Sequence, residues 1–109
     1  MVNYSMDLDH TFSALSDPTR RAIISKLAKG DMPIMELASP FDMSLPAVSK
    51  HIRVLEKAGL LILRKQGRVH YCHLNARPLR DAAKWLAFYQ QFWGAKLDSL
   101  ANFLEENSE

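Results

Sequence analysis

The 109-residue sequence predicts a mainly α-helical fold with one small β-hairpin, and three observations carry that expectation. Apolar residues recur at helical spacing along most of the chain. Helix start and stop signals divide it: Asp17-Pro18, Gly30, Ser44 and Gly59. One stretch, residues 60–75, instead gathers strand-favouring residues around a central glycine. The length suits a single domain over residues 1–109, with one modest core.

Each element has its own signal. Leu8, Phe12 and Leu15 share one face of a short amphipathic helix. Asp17 then offers an N-cap, with Pro18 at the first helical position. The helix through RRAIISKLAKG turns Ile23, Ile24 and Leu27 inward and stops at Gly30. Pro33 restarts the chain, residues 34–39 form a brief third helix, and Pro40 and Asp42 mark a turn.

Ser44 caps the fourth helix, SLPAVSKHIRVLEKAG, which tolerates Pro46 in its first turn. At 100° per residue, Leu45, Val48, Ile52 and Leu55 fall within about 80° and form an inward stripe. Pro46, Lys50, Arg53 and Lys57 lie about 150° away, flanked by Ala47 and His51. One face packs, and the other is basic. Gly59 ends the helix.

LLILRK and RVHYCHL read as two strands joined at Gln66-Gly67, with Arg64, Lys65 and Arg68 at the tip. From Pro78 to Glu106 the helical period returns. Leu79, Ala83, Leu86, Gln90, Trp93, Leu97, Leu100 and Leu104 make one row, and Ala82, Trp85, Tyr89 and Phe92 a second. Gly94 is a candidate break. So wide an apolar surface at a chain end suggests a dimer interface, against the plainer reading of a helix lying on its own core.

The net charge of +2 conceals an asymmetry. Residues 44–80 hold eight cations and one acid, Glu56, for a local charge of +7, while the remainder carries −5. That distribution suits a polyanionic partner. No apolar run approaches the roughly 18 residues of a membrane span, and the opening MVNYSMDLDH lacks the features of a signal peptide. The one cysteine, Cys72, permits no intrachain disulfide and suits a reducing cytoplasm. No nucleophile elbow, phosphate-cradling loop or HExxH is present, so the sequence points away from an enzyme and calls for no cofactor.

Helix, short helix, turn, second helix and basic hairpin is the order of a winged helix-turn-helix. A helix fits the major groove of B-DNA, where side chains near its N-terminus touch base edges while cations meet phosphates. Ser44, Ala47, Ser49, Lys50 and His51 are therefore the candidate base-reading set. Arg53, Arg64, Lys65 and Arg68 are candidate contacts to phosphate or the minor groove.

ALSDPTRRAIISKLAKG, SLPAVSKHIRVLEKAGLL and RKQGRVHYCHLN resemble the ArsR-type winged-helix repressors from about Leu8 to Asn75, with a compatible helix beyond. The resemblance implies a homodimer through the first and last helices, involving Leu8, Phe12, Leu86, Trp93, Leu97 and Leu100. It also implies two recognition helices on a near-palindromic operator, and repression as the basal activity.

The chain departs from that family's effector sites. Met35-Glu36-Leu37-Ala38 stands where many members place a cysteine pair. Asp81 is followed by no histidine, so no metal site is carried over and the effector is left unassigned. His70 and Cys72 share a strand face with His73 opposite, which leaves too few ligands for a closed metal site. The rows around Trp85, Phe88 and Trp93 suit helical and dimer packing better than an effector pocket. Two rival readings are a protein-interaction module with a basic face and a redox-responsive repressor acting through Cys72.

Overall fold

The structure, a computed structural model, describes residues 4–107, with side chains from Asp7 onward. The stretch read for a leader, residues 1–10, lies partly outside the described residues. The chain forms two compact units, one ending at Leu79 and the other beginning at Arg80.

The first unit opens with α1 (Tyr4–Ala14), one turn longer at its start than the apolar spacing from Leu8 indicates. In α2 (Pro18–Leu27), the Asp17 carboxylate accepts the Arg20 amide proton at 3.1 Å, as an N-cap should. Ile23 and Leu27 are buried and Ile24 is half-buried. The helix ends before Gly30, whose φ of +147° takes the chain out through a conformation that side chains disfavour. Next come β1 (Met32–Pro33) and α3 (Ile34–Ala38).

The fourth helix, α4 (Leu45–Lys57), is followed by β2 (Leu61–Gln66) and β3 (Val69–Leu74). The sheet has three antiparallel strands in the order β1-β3-β2, one more strand than the expected hairpin. Met32 and Pro33 pair with Cys72 and Tyr71, and the proline sits on an edge strand, where its missing N–H costs no ladder bond. The hairpin turn is Gly67-Arg68 rather than Gln66-Gly67, because Gln66 still pairs with Val69. Gly67 has φ of +61° and Arg68 does not share it, which fits a two-residue turn with glycine first.

The core of this unit joins Ala14, Ile23, Leu27, Leu37, Val48, Ile52, Leu55, Leu60, Leu61 and Cys72. Each helix and the sheet contribute to it, so the inward stripes predicted for α2 and α4 meet in one cluster. Leu45 is the exception. It is 43% exposed, and residues 42–46 are exposed throughout, so the first turn of α4 stands clear of the core.

The second unit consists of the remainder of α5 (Arg77–Glu106), a continuous 30-residue helix. Gly94 does not break it, since one glycine costs a helix only about 1 kcal/mol against alanine. Along it Leu86, Phe88, Phe92, Trp93, Leu97, Leu100, Phe103 and Leu104 are all exposed. The Lys96 ammonium lies 4.5 Å from the centroid of the Phe92 ring and covers part of that surface.

Candidate nucleic-acid interface

Local chemistry sets both ends of α4. The Ser44 hydroxyl accepts the Ala47 amide proton at 3.3 Å, and Pro46 occupies the first turn without forfeiting a helical hydrogen bond. At the other end the amides of Gly59 and Leu60 donate to the carbonyls of Glu56 and Leu55, at 3.0 and 2.9 Å. This Schellman arrangement needs the positive φ of Gly59, +79°. Between the ends, Val48, Ile52 and Leu55 anchor the helix, while Lys50, Arg53 and Lys57 are exposed on the opposite side.

The nine sequence-predicted contact residues fall into two classes. Ser44, Lys50, Arg53, Arg64, Lys65 and Arg68 are exposed, whereas Ala47, Ser49 and His51 are half-buried. β2 packs against α4, which ties the hairpin to that helix. Register puts Arg64 opposite Tyr71 and Lys65 opposite His70, so the two cations emerge on opposite faces of the ribbon. Arg68 sits in the turn itself. The Asn75 amide group donates to the Gly59 carbonyl at 2.8 Å, fixing the far end of the wing to the end of α4.

A second tier of residues, which sequence reasoning missed as functional, sits behind this face. Arg20 Nε donates to the Ala14 carbonyl at 2.6 Å, and Arg20 Nη2 donates to the Ser13 carbonyl at 3.2 Å. Its Nη1 lies 3.2 Å from His51 Nδ1. One guanidinium therefore ties α1 and α4 to α2, the helix that carries it. The Asp17 carboxylate lies 3.8 Å from the same ring nitrogen. The Arg20 amide bond chiefly holds the Asp17 carboxyl below the ordinary carboxylate value, partial burial opposes it, and His51 adds to the lowering. In sequence, Asp17-Pro18-Thr19-Arg20 signals a helix start and carries part of the ArsR resemblance, but nothing local in it points to His51.

Comparison with known proteins places this arrangement. A family model described as a helix-turn-helix domain matches residues 15–64. The transcriptional repressor SdpR of Bacillus subtilis is 35% identical over 72% of this chain and 88% of its own length. The HTH-type transcriptional regulator Rv2034 of Mycobacterium tuberculosis is 34% identical over 93% of this chain and 92% of its own. A crystal structure of an ArsR family transcriptional regulator superposes with a TM-score of 0.78 at 44% identity, covering 86% of this chain and 97% of that one. This chain belongs to the ArsR family. It is a winged helix-turn-helix protein related to transcriptional repressors.

Within the ArsR frame, the remaining candidate ligands are dispersed. Cys72 is buried in the core, and desolvation, helped by the Glu56 and Asp31 charges, pushes its thiol up to about 11. A reactive thiol needs the opposite environment. His70 is exposed, and His73 Nδ1 bonds Asp31 Oδ1 at 2.7 Å. Among the described residues no three His, Cys, Asp or Glu side chains converge to hold a metal. No helix among them is long and apolar enough to cross a membrane. An open hollow of about 360 Å³ lies between α1 and α4, lined by His10, Ser13, Ala14, Val54, Lys57 and Ala58.

Proposed function

We propose that this ArsR-family chain is a cytoplasmic homodimeric repressor that reads a near-palindromic operator through α4 and grips the flanking phosphates with its wing. The observation that carries the reading is the division of α4. Its buried stripe of Val48, Ile52 and Leu55 leaves a basic face of Lys50 and Arg53 outward, behind a first turn that stands clear of the core. Such a turn enters a major groove with Ser44, Ala47, Ser49, Lys50 and His51 foremost. Arg53, Arg64, Lys65 and Arg68 supply the salt-dependent part of the affinity.

Dimerisation follows from exposed apolar surface. Phe12 on α1 and Leu86, Trp93, Leu97 and Leu100 on α5 are each more than a third exposed, and Leu8, four residues before Phe12, is half-buried. A two-fold dimer covers such faces and presents two copies of α4, which matches a palindromic site. In this reading residues 1–109 act as one DNA-binding unit, with no metal or cofactor in the mechanism and no catalysis.

The test is fluorescence-anisotropy titration with the intergenic DNA upstream of the protein's own gene, against random DNA of equal length, at two salt concentrations. Tight, competitor-resistant binding to the first DNA alone is the expected result. Equal weak binding to both overturns the proposal of an operator there and favours an acidic protein partner for the basic face.

A further inference from the structure

We infer that Arg20 is a positioning residue for DNA reading: it holds the His51 ring in the tautomer that carries its proton on Nε2, and so presents that N–H to the DNA. This rests on the reading of α4 as the recognition helix. The argument begins from the inventory of donors. A guanidinium has five N–H donors and no acceptor. A bond between Arg20 Nη1 and His51 Nδ1 at 3.2 Å therefore requires Nδ1 to accept. In a neutral imidazole the proton then resides on Nε2.

The surroundings of His51 support that assignment. The competing arrangement puts a proton on Nδ1 and points it at Asp17, but the Asp17 oxygen is 3.8 Å away, beyond hydrogen-bond reach. The Asp17 carboxylate is already engaged with the Arg20 amide at 3.1 Å. Arg20 is itself fixed by two carbonyls at the end of α1, Ala14 and Ser13, so its third donor is aimed rather than free to rotate. No protein group among the described residues bonds His51 Nε2, and the His51 side chain keeps 20% of its surface exposed. One ring nitrogen is spoken for and the other is a donor without a protein acceptor, on the helix that meets DNA.

A fixed donor discriminates where a rotating or tautomerising ring does not. It suits a phosphate oxygen or the acceptors of a purine edge, guanine N7 and O6 or adenine N7. It rejects the exocyclic amino groups of cytosine and adenine, which are donors themselves.

His73 provides an internal reference of the opposite kind. Its Nδ1 faces the Asp31 carboxylate at 2.7 Å, and an ionised carboxylate only accepts, so its Nδ1 carries a proton.

The experiment reads the histidine ring nitrogens of the free protein by long-range ¹H–¹⁵N NMR at about pH 8, where an ordinary imidazole is neutral. The expected result is an unprotonated Nδ1 and a protonated Nε2 for His51, with His73 protonated at Nδ1. Arg20→Met should blur the His51 preference, and Arg20→Lys, which keeps the charge but not the fork, should blur it in part. His51→Gln keeps an N–H donor near the Nε2 position and should lose less operator affinity than His51→Asn. His51→Asn places its amide nearer Nδ1 and should lose on the order of tenfold, about one hydrogen bond. Arg20→Met should weaken operator binding with its salt slope unchanged, because Arg20 acts through His51 and not on a phosphate.

A protonated Nδ1 on His51 in wild-type protein that binds its operator overturns this inference alone. Equal losses for the Gln and Asn variants overturn it as well. A wild-type protein that binds no operator overturns the DNA role of the Nε2 donor together with the functional reading. If Arg20→Met fails to fold, Arg20→Lys and the wild-type spectrum decide the matter.

Discussion

The Leu60 amide donates to the Leu55 carbonyl at 2.9 Å, and both side chains are fully buried. This bond spans the corner where α4 ends and β2 begins. It fixes the direction in which β2 leaves α4, and with it the spacing between the two basic surfaces.

Gly59 makes that corner possible, and Gly59→Ala isolates its contribution. A Cβ there meets only Pro78 Cγ at 3.8 Å, an ordinary contact, so the cost is conformational and not steric. Holding alanine at φ of +79° should cost about 1–2 kcal/mol. Urea unfolding should show a lower midpoint with an unchanged slope. A midpoint equal to wild type would mean that the corner opens without loss.

Asp17 makes stability depend on pH in acid. Its folded-state pKa lies below the ordinary value, so its contribution is present above the unfolded-state value and is lost as the pH falls through the folded one. Asp17→Ala should therefore be less stable than wild type at neutral pH, and the two should converge in acid. Asp17→Asn keeps an acceptor for the Arg20 amide and should lie between them with a shallower acid limb. Parallel acid limbs for all three proteins would remove Asp17 from the titration.

These predictions draw on features that were unequally visible in the sequence. The ends of α4 were legible because Ser44, Pro46 and Gly59 are chemical signals that act over three or four residues. Most of its buried stripe was legible for the same local reason, and Leu45 departed from it because the first turn has no neighbour to pack against. β1 was not legible, since two residues hold no alternation and their partner strand lies forty positions on. The hairpin turn came out one residue early because Gln66 reads as turn-compatible when its pairing with Val69 is unknown. Arg20 was passed over for a similar reason: its partner His51 is 31 residues away, and no local pattern encodes that distance.

Cys72 should behave as a core side chain. Burial and its protonated state at neutral pH predict slow alkylation by iodoacetamide in the folded protein and rapid alkylation in urea. Cys72→Ala should leave operator affinity, and its response to peroxide, as they are in wild type. Fast native-state alkylation, or a peroxide response that disappears in the alanine variant, would restore the redox reading.

Leu97 and Leu100 test the proposed dimer. Both are more than half exposed on α5, where aspartate is readily solvated and should leave the single chain folded. The double change Leu97→Asp, Leu100→Asp should sediment as a monomer and lose operator affinity steeply, because one half-site then has to bind without the other. Circular dichroism checks that the helix persists. A double variant that remains dimeric would place the interface elsewhere.

Arg68 separates phosphate contact from base reading. It occupies the wing turn, exposed and with no acidic residue between Glu56 and Asp81 in sequence, whereas Lys50 sits on α4. A phosphate contact contributes about 0.9 to the slope of log affinity against log salt, and contributes it on any sequence. Arg68→Ala should thus weaken operator and random DNA alike and reduce the slope by about one. Lys50→Ala should weaken the operator more than random DNA, because a lost base contact removes discrimination that random sequence never provided. Matching losses for the two variants on both DNAs would show that α4 and the wing make the same kind of contact, and base reading would then have to come from Ser44, Ala47, Ser49 and His51.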